Sequence, residues 1–250
     1  MQVTAIHRYP VKGLSPQALE TVDLSPGEGL PHDRRFALAH GEIGFDRDNP
    51  EWLPKTHFLM LMRNDRLAAL ETRYDAGTET LTVLRQGRQV ARGCMTQALG
   101  RSILEEFFEA YMKSELHGEV KIVDAPGHMF SDHRNKVVSL INMASVRDLE
   151  RVAGGPIDPV RFRGNVIFES DEPWVEFTWV DREIRIGAAR LTVTKRIDRC
   201  AATGVNPATG ERDMNLVKAL QVGFGHIDMG VYARAEAAAA IAVGDAITVI

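Results

Sequence analysis

The chain has 250 residues, 44% of them hydrophobic, and a formal net charge of −4 from 30 basic and 34 acidic side chains. A chain of this length buries enough apolar surface to fold as one large domain or two small ones without disulfide bonds. The chain has only two cysteines, which is typical of a cytoplasmic protein. Its charges of both signs are interspersed, so nucleic acid is not an expected partner. No apolar stretch approaches the ~20 residues of a membrane helix, so we expect no contact with a membrane.

The first hundred residues alternate between apolar and polar positions and are interrupted by turn residues. This pattern predicts strands in VTAIHRYP, ALETVDLS, RFALA, RLAALETRYD, TLTVLRQG and RQVARG. The apolar spacing then changes, because apolar residues between Ile103 and Met112 recur at helical intervals, with Glu105, Glu106 and Glu109 on the other face. The sequence therefore predicts a β-rich module followed by one amphipathic helix.

The second half is also mainly strand. VKIVDA and VVSLI are predicted strands on either side of the loop PGHMFSDHRNK. Ser145 starts a predicted helix, with Asp148 completing an approximate capping box, and the helix ends at Gly154 and Gly155. A shorter helix is predicted near NLVKALQVG, among the strands RFRGNVIFE, REIRIGAARLTVTKRI, DMGVYARAE and AIAVGDAITVI.

The order of these elements indicates the fold class. Strands and helices do not alternate regularly, which argues against a doubly wound sheet. We expect a mainly β fold of the α+β class, built from two β-barrel-like modules with peripheral helices.

Common cofactor motifs are missing. GFGHIDMG and GEGLPHD do not have dinucleotide-binding spacing and no Walker sequence is present, so tightly bound NAD or ATP is not expected. Pyridoxal phosphate is not expected either. His128, Asp132 and His133 share a loop, but their spacing is poor for zinc.

The segment RIDRCAATGVNPATG contains the more informative cysteine. Cys200 follows Arg199 and lies close in sequence to Lys195 and Arg196. Cationic neighbours favour the thiolate, which is the form that attacks electrophiles and binds metals. A cysteine at the end of a strand is also a common packing residue. From the residues alone, Cys200 can be a packing residue, a nucleophile or a metal ligand.

The same segment resembles the MOSC domain family, named after the C-terminal region of molybdenum cofactor sulfurase, and in particular its mitochondrial amidoxime-reducing branch and the bacterial relatives of that branch. The family pattern runs Arg-Cys, two residues, Thr, one residue, Val-Asp-Pro, one residue, Thr-Gly. The matching residues here are Arg199, Cys200, Thr203, Val205, Pro207, Thr209 and Gly210. The pieces YPVKG, DRRFAL, ASVRDL, RFRGN, WVEFTW, GVYA and VGD follow in the family's order.

The resemblance implies a domain organisation and a set of site residues. The expected domains are an N-terminal MOSC-associated β-module in residues 1–118 and a MOSC-type β-barrel in residues 119–250, with the molybdenum cofactor between them. Cys200 is implied as the catalytic residue and as the thiolate ligand of molybdenum, a role that suits a soft sulfur donor. The implied cofactor-binding residues, several of them cationic to hold the pterin phosphate, are Lys12, Arg34, Arg35, Ser145, Arg163, Asn165, Arg199 and Thr203.

Two further positions match the family pattern, and two depart from it. Glu176 and Trp179 match family positions, although a carboxylate at a strand edge explains Glu176 equally well. Asn206 stands where the family usually has Asp, and Gly13 stands where Ser or Cys is frequent. These two departures leave the details around the cofactor open.

The resemblance implies an oxidoreductase that uses the molybdenum cofactor to reduce N-hydroxylated compounds such as amidoximes, hydroxylamines and N-hydroxylated bases. The chain shows neither a membrane anchor nor a fused iron–sulfur domain, so we expect electrons from a separate flavin or iron–sulfur donor. Two alternatives stay open. Cys200 can carry a persulfide in a sulfur transferase, or the protein can store or deliver the cofactor without turnover.

Overall fold

A computed structural model describes residues 1–250 and contains fifteen strands and three α-helices. The strands are β1 (Gln2–Arg8), β2 (Gln17–Leu19), β3 (Thr21–Leu24), β4 (Phe36–His40), β5 (Glu71–Asp75), β6 (Thr80–Arg85), β7 (Arg88–Cys94), β8 (Val120–Asp124), β9 (Val138–Asn142), β10 (Val166–Glu169), β11 (Glu183–Ile186), β12 (Ala189–Asp198), β13 (Asp228–Ala235), β14 (Ala239–Ala242) and β15 (Ile247–Val249). The helices are α1 (Ala98–Met112), α2 (Met143–Ala153) and α3 (Leu216–Phe224). The prediction of a mainly β fold of the α+β class is confirmed.

One curled sheet of eight strands forms the larger part of the molecule. Its strand order is β15-β11-β12-β13-β9-β10-β1-β2, and only β9 and β10 run parallel to each other. The buried faces of these strands enclose an apolar core that includes Phe168 and Trp179, both at most 1% exposed. Trp179 is therefore a core residue in this fold.

The first strands of the chain pair by hydrogen bonding with strands of the second half. β1 pairs antiparallel with β10, and β3 pairs antiparallel with β14. In the other direction β8, from the second half, pairs with β4. Strand pairing thus crosses the predicted domain boundary between residues 118 and 119, and that boundary stays a prediction. The crossing places the segment after β1 at the edge of the eight-stranded sheet.

Helix α1 packs on the remaining strands of the first half. Its fully buried residues Leu104, Phe108 and Met112 face the β5-β6-β7 sheet and the β4-β8 pair, in one apolar core. Glu105 and Glu109 are not free on the opposite face, because they accept backbone N–H bonds from β8 at 2.8 and 2.9 Å. The amphipathic helix is present, and two of its glutamates fasten it to the neighbouring strand.

Helix α2 begins two residues before the predicted start. Asn142 is its N-cap and accepts a hydrogen bond from the N–H of Ala144 at 3.0 Å, so Ser145 already lies inside the helix. The predicted end is observed, since Gly154 adopts the left-handed conformation (φ 80°) that closes many helices. None of the three helices combines the length and apolarity needed to cross a membrane.

Candidate functional site

A cleft of about 490 Å³ opens where segments of both halves converge. Its lining comes from the segment after β1, the loops around Trp52–Met62 and Met129–Val137, the turn before β10 and the end of β12. The predicted site residues that line it are Lys12, Arg34, Arg163, Asn165, Arg199, Cys200 and Thr203. Two other predicted site residues, Arg35 and Ser145, do not.

The cleft is strongly positive although the chain as a whole is negative. Two carboxylates line it, Asp132 and Asp198, against seven cationic side chains, two of which also pair with carboxylates outside the lining. The cationic residues are Lys12, Arg34, Lys55, Arg161, Arg163, Lys195 and Arg199. Charges of one sign concentrated in a cleft raise the local concentration of ligands of the opposite sign. The geometry therefore favours an anionic ligand.

Tyr9 supports two of the arginines from beneath the cleft wall. The guanidinium carbons of Arg34 and Arg163 lie 4.6 and 4.2 Å from the centre of its ring, which attracts cations electrostatically. Both arginines adopt left-handed backbone conformations, with φ of 48° and 51°. Such conformations are costly for residues other than glycine and persist where the surrounding structure fixes them. Tyr9 itself is fully buried.

Arg163 presents an unpartnered donor at this site. Its Nη1 donates to the carbonyl of Leu14 at 2.8 Å, and its own carbonyl accepts from Arg34 Nη2 at 2.8 Å. Its Nη2 is buried and has no hydrogen-bond partner. Burial, reinforced by the neighbouring charge of Arg34, lowers the pKa of Arg163 to about 10. A buried charged donor of this kind needs an acceptor from a ligand or an ordered water.

The ring of Tyr9, and not its hydroxyl, is expected to do this supporting work. The hydroxyl is buried without a partner, so Tyr9→Phe should leave the free energy of unfolding unchanged or raise it by up to about 1 kcal/mol. Tyr9→Leu removes both cation–π contacts and leaves a cavity. Its free energy of unfolding should be about 2–3 kcal/mol lower than that of Tyr9→Phe. Urea unfolding of the two variants measures the difference. Equal stabilities would contradict the supporting role of the ring.

Asn165 organises the cleft wall from behind. Its Nδ2 donates to the carbonyl of His7 and to Asp33 Oδ2, both at 3.1 Å. Its Oδ1 accepts from the N–H and the hydroxyl of Ser139 at 3.1 and 2.8 Å. Asp33 in turn pairs with Arg34. The amide of Asn165 is thus fully engaged within the chain and positions Asp33, while its predicted contact with a cofactor stays a prediction.

The backbone around Cys200 is held tightly while its side chain is half-buried. The N–H and the hydroxyl of Thr203 both donate to the carbonyl of Cys200, at 3.1 and 3.0 Å. Arg199 Nε donates to the carbonyl of Met229 at 2.9 Å and Nη1 to that of Phe162 at 2.8 Å, and burial lowers the pKa of Arg199 to about 10. Both neighbours fix the turn that carries the sulfur at the cleft.

Arg212 fastens this turn to the first half of the chain, and no motif indicated it. Nη1 donates to the carbonyl of Ala201 at 3.0 Å, and Nη2 donates to the carbonyls of Leu61 and Met62 at 3.0 and 2.9 Å. Nε lies 2.9 Å from Asp65 Oδ2. A single guanidinium therefore joins both sides of the cleft entrance.

Two lysines share one carboxylate across the cleft. Lys12 Nζ donates to Asp132 and, at 3.1 Å, to the carbonyl of Phe130, and burial lowers the pKa of Lys12. Lys55 Nζ lies 3.5 Å from the other oxygen of Asp132. Although burial opposes its charge, Asp132 and Cys200 raise the pKa of Lys55. The sequence reasoning missed Lys55, which lines the same cleft as Cys200.

The remaining two predicted site residues make contacts elsewhere. Arg35 pairs with Glu79. Ser145 donates to Glu176 Oε1 at 2.8 Å and accepts from the N–H of Trp174 at 2.7 Å, in a fully buried setting. Burial raises the pKa of Glu176. The cofactor-binding roles predicted for Arg35 and Ser145 gain no support from these positions.

Comparison with known families covers nearly the whole chain. The model of the MOSC domain matches residues 114–248, and that of the MOSC N-terminal beta barrel domain matches residues 1–119. A molybdenum cofactor sulfurase of Anopheles gambiae is 35% identical over 105 residues. That match covers 37% of this chain and only 13% of the much longer relative.

Two solved structures are similar at lower levels. The YuaD protein from Bacillus subtilis is 13% identical with a TM-score of 0.45, and the similarity covers 98% of this chain and 93% of that one. YiiM from Geobacillus stearothermophilus is 17% identical with a TM-score of 0.35, and the similarity covers 45% of this chain and 53% of that one.

Proposed function

This chain belongs to the MOSC family, and from that premise we propose that its cleft binds the molybdenum cofactor and that it reduces N-hydroxylated compounds with electrons from a separate donor. The observation that carries the proposal is the position of Cys200. Its half-buried side chain lines a cleft that has seven cationic side chains and two carboxylates in its lining. A thiolate donor and an anion-binding wall are the two features that a phosphorylated metal cofactor requires of its protein.

The residues of the cleft pass a test of fit to this group. Arg163 Nη2 is buried without a partner, and the Arg163 side chain lines the cleft. Buried donors of this kind need acceptor oxygens, which a phosphate provides. The folded chain thus has a free buried donor in the cleft, from which an oxygen of an anionic cofactor would accept a hydrogen bond.

Each residue then has a definite task. Cys200 would provide the thiolate ligand of molybdenum, and Lys55 balances the charge of that sulfur. Arg34 and Arg163, held over Tyr9, would bind the phosphate. When bound, the cofactor supplies two-electron redox chemistry at its metal.

The substrate would be bound by the rest of the lining. Trp52, Met60 and Phe130 provide apolar surface for its carbon skeleton and keep water from the reacting bond. Conversion of an N–OH group to N–H consumes two electrons and two protons and releases one water. The N–O bond is the one that breaks.

Metal content and activity test this function together. Protein purified from a host that makes the cofactor should contain about one molybdenum atom per chain, because a thiolate site of this kind holds one metal. It should also reduce benzamidoxime to benzamidine when supplied with reduced viologen. Molybdenum-loaded protein that shows no benzamidoxime reduction with any reductant would overturn the proposal.

The requirement for a separate donor gives a further expected result. The chain has two cysteines, fewer than the four thiolates that common iron–sulfur clusters use, and its glycine segments lack the dinucleotide spacing. NADH alone should therefore give no benzamidoxime reduction, whereas reduced viologen, or NADH with a flavin reductase and ferredoxin, should restore it. Assays with each reductant and the same protein preparation make the comparison. Turnover with NADH alone would reveal a nucleotide site on this chain.

Sulfur transfer is the second candidate, and the similarity to a molybdenum cofactor sulfurase favours it. In that case Cys200 would accept a persulfide sulfur and pass it on. The protein would purify without molybdenum, and labelled sulfur would be found on Cys200 by mass spectrometry. Molybdenum bound without turnover would instead indicate cofactor storage or delivery.

A further inference from the structure

Arg161 is a cleft residue that folding leaves with free donors. It is 7% exposed, and its Nη2 donates to Asp213 Oδ2 at 2.8 Å. Its Nε and Nη1 are buried and have no hydrogen-bond partner. A buried charged group with two unpartnered nitrogens is unfavourable unless a ligand or an ordered water supplies acceptors. The motif RFRGN drew attention to Arg163, and Arg161 was not singled out.

Arg161 and Arg163 are held from different sides of the cleft. The short turn Pro159–Phe162 that carries Arg161 packs against the turn Ala201–Gly204, which directly follows Cys200. Arg163 instead binds the carbonyl of Leu14 and lies over Tyr9, both in the first half of the chain. The two guanidinium groups therefore serve different parts of one cleft.

Asp213 orients Arg161 on the cysteine side. The same Asp213 oxygen that accepts from Arg161 also accepts from Asn206 Nδ2 at 2.8 Å. Asn206 lies in the segment after Cys200, and its own side-chain oxygen accepts from the N–H of Ala208 at 2.9 Å. An uncharged amide at position 206 donates to Asp213 where a carboxylate would repel it. This chain of contacts fixes Arg161 relative to the cysteine turn.

We propose that Arg161 forms a second oxyanion subsite in the cleft, on the side of the Cys200 turn and separate from the Arg34–Arg163 pair. Its ligand is the polarised oxygen of the substrate's head group, an assignment that rests on the proposed function. Asp213 already balances part of the charge of Arg161, so the subsite suits a polarised or singly charged oxygen better than a doubly charged phosphate.

Alkylation of the cysteine tests the subsite in apoprotein, without metal or turnover. In a Cys94→Ala background Cys200 is the single thiol, and its sulfur displaces iodide from either anionic iodoacetate or neutral iodoacetamide. Arg161→Met should lower the rate with iodoacetate about tenfold or more, the loss of one charge-assisted hydrogen bond, and leave the rate with iodoacetamide unchanged. Arg161→Lys retains a cation for Asp213, so its rate with iodoacetate should lie between those of the parent and the Arg161→Met variant. This second variant keeps the test valid if Arg161→Met misfolds.

The matched control is Arg151→Met, which removes an arginine whose side chain is 71% exposed on α2. It should change neither rate. An iodoacetate-to-iodoacetamide ratio that is the same in the Arg161→Met variant, the Arg161→Lys variant and the parent would overturn the subsite.

Steady-state kinetics of loaded enzyme then test the head-group assignment. Arg161→Lys should raise the KM for benzamidoxime about tenfold at unchanged molybdenum content, whereas kcat should change less. Loss of molybdenum from this variant would place Arg161 with the cofactor and overturn the separate subsite. An unchanged KM would overturn the head-group assignment. If the parent enzyme reduces nothing, the proposed function fails, while the alkylation ratio still decides whether the oxyanion subsite exists.

Discussion

Cys200→Ala should lower the rate of benzamidoxime reduction by more than about a hundredfold. Loss of a metal ligand should cost at least as much activity as loss of a residue that only hydrogen-bonds to a ligand. The fold should persist, since the side chain is half-buried and its truncation is expected to cost no more than about 1 kcal/mol. Cys200→Ser should lose activity as well, because a hard hydroxyl oxygen replaces the soft sulfur. Activity, molybdenum content and thermal unfolding are measured on the same preparations.

Cys94→Ala is the matched control for this loss. Cys94 lies at the end of β7, where its Sγ is 3.4 Å from the carbonyl of Thr78 and 3.3 Å from the hydroxyl of Thr96. It does not line the cleft, so the variant should keep its molybdenum and its activity. A Cys200→Ala protein that is both loaded and active would show that the sulfur is not the ligand.

Arg163→Ala should weaken cofactor binding about ten- to a hundredfold, because a charge-assisted hydrogen bond contributes about 1.5–3 kcal/mol. Alanine at φ 51° is strained like the arginine it replaces, so the backbone cost is similar in both proteins. Lys12→Ala should also weaken binding, but less, because Lys12 is already paired with Asp132. Molybdenum retained after extended dialysis measures the effect.

The choice of control follows from the contacts of helix α1. Glu105 accepts a hydrogen bond from the N–H of Ile122, so changing it would disturb the packing of the helix. Glu106 is exposed on the same helix, and Glu106→Ala is therefore the control. Arg151→Ala controls for the loss of one positive charge. If Arg163→Ala retains as much molybdenum as these two variants, the phosphate does not bind at Arg163.

The sequence predicted local structure better than strand pairing. Alternation and helical spacing located most strands and helix α1, because side-chain periodicity is a local property. The pairing of β1 with β10 and of β4 with β8 joins residues far apart in the chain. Alternation of apolar and polar residues predicts which face of a strand is buried, but it does not identify the neighbouring strand. The start of α2 was misplaced because Asn142, another good N-cap residue, precedes Ser145.

The same reasoning explains which cleft residues were found. Arg34, Arg163 and Cys200 lie in segments that match a family pattern, and the fold brings all three to one cleft. Lys55 lies outside the matching segments, and Arg161 lies in RFRGN but was not singled out there. The roles of these two residues are visible from their surroundings: Lys55 shares Asp132 with Lys12, and two nitrogens of Arg161 have no hydrogen-bond partner. Ser145 matched the pattern, but its hydroxyl is occupied by Glu176.

The crossing of strands between the two halves also determines when the molecule can be completed during synthesis. β1 cannot pair until β10 has been synthesised, and β3 cannot pair until β14 has been synthesised. Contacts between such distant segments form slowly, because long loops must close before the pairing stabilises them. Until then the early strands have exposed edges that other chains can pair with. The cleft, which is lined by both Lys12 and Cys200, therefore forms only after the segment that carries Cys200 has been synthesised, and any ligand that contacts both residues binds after that point.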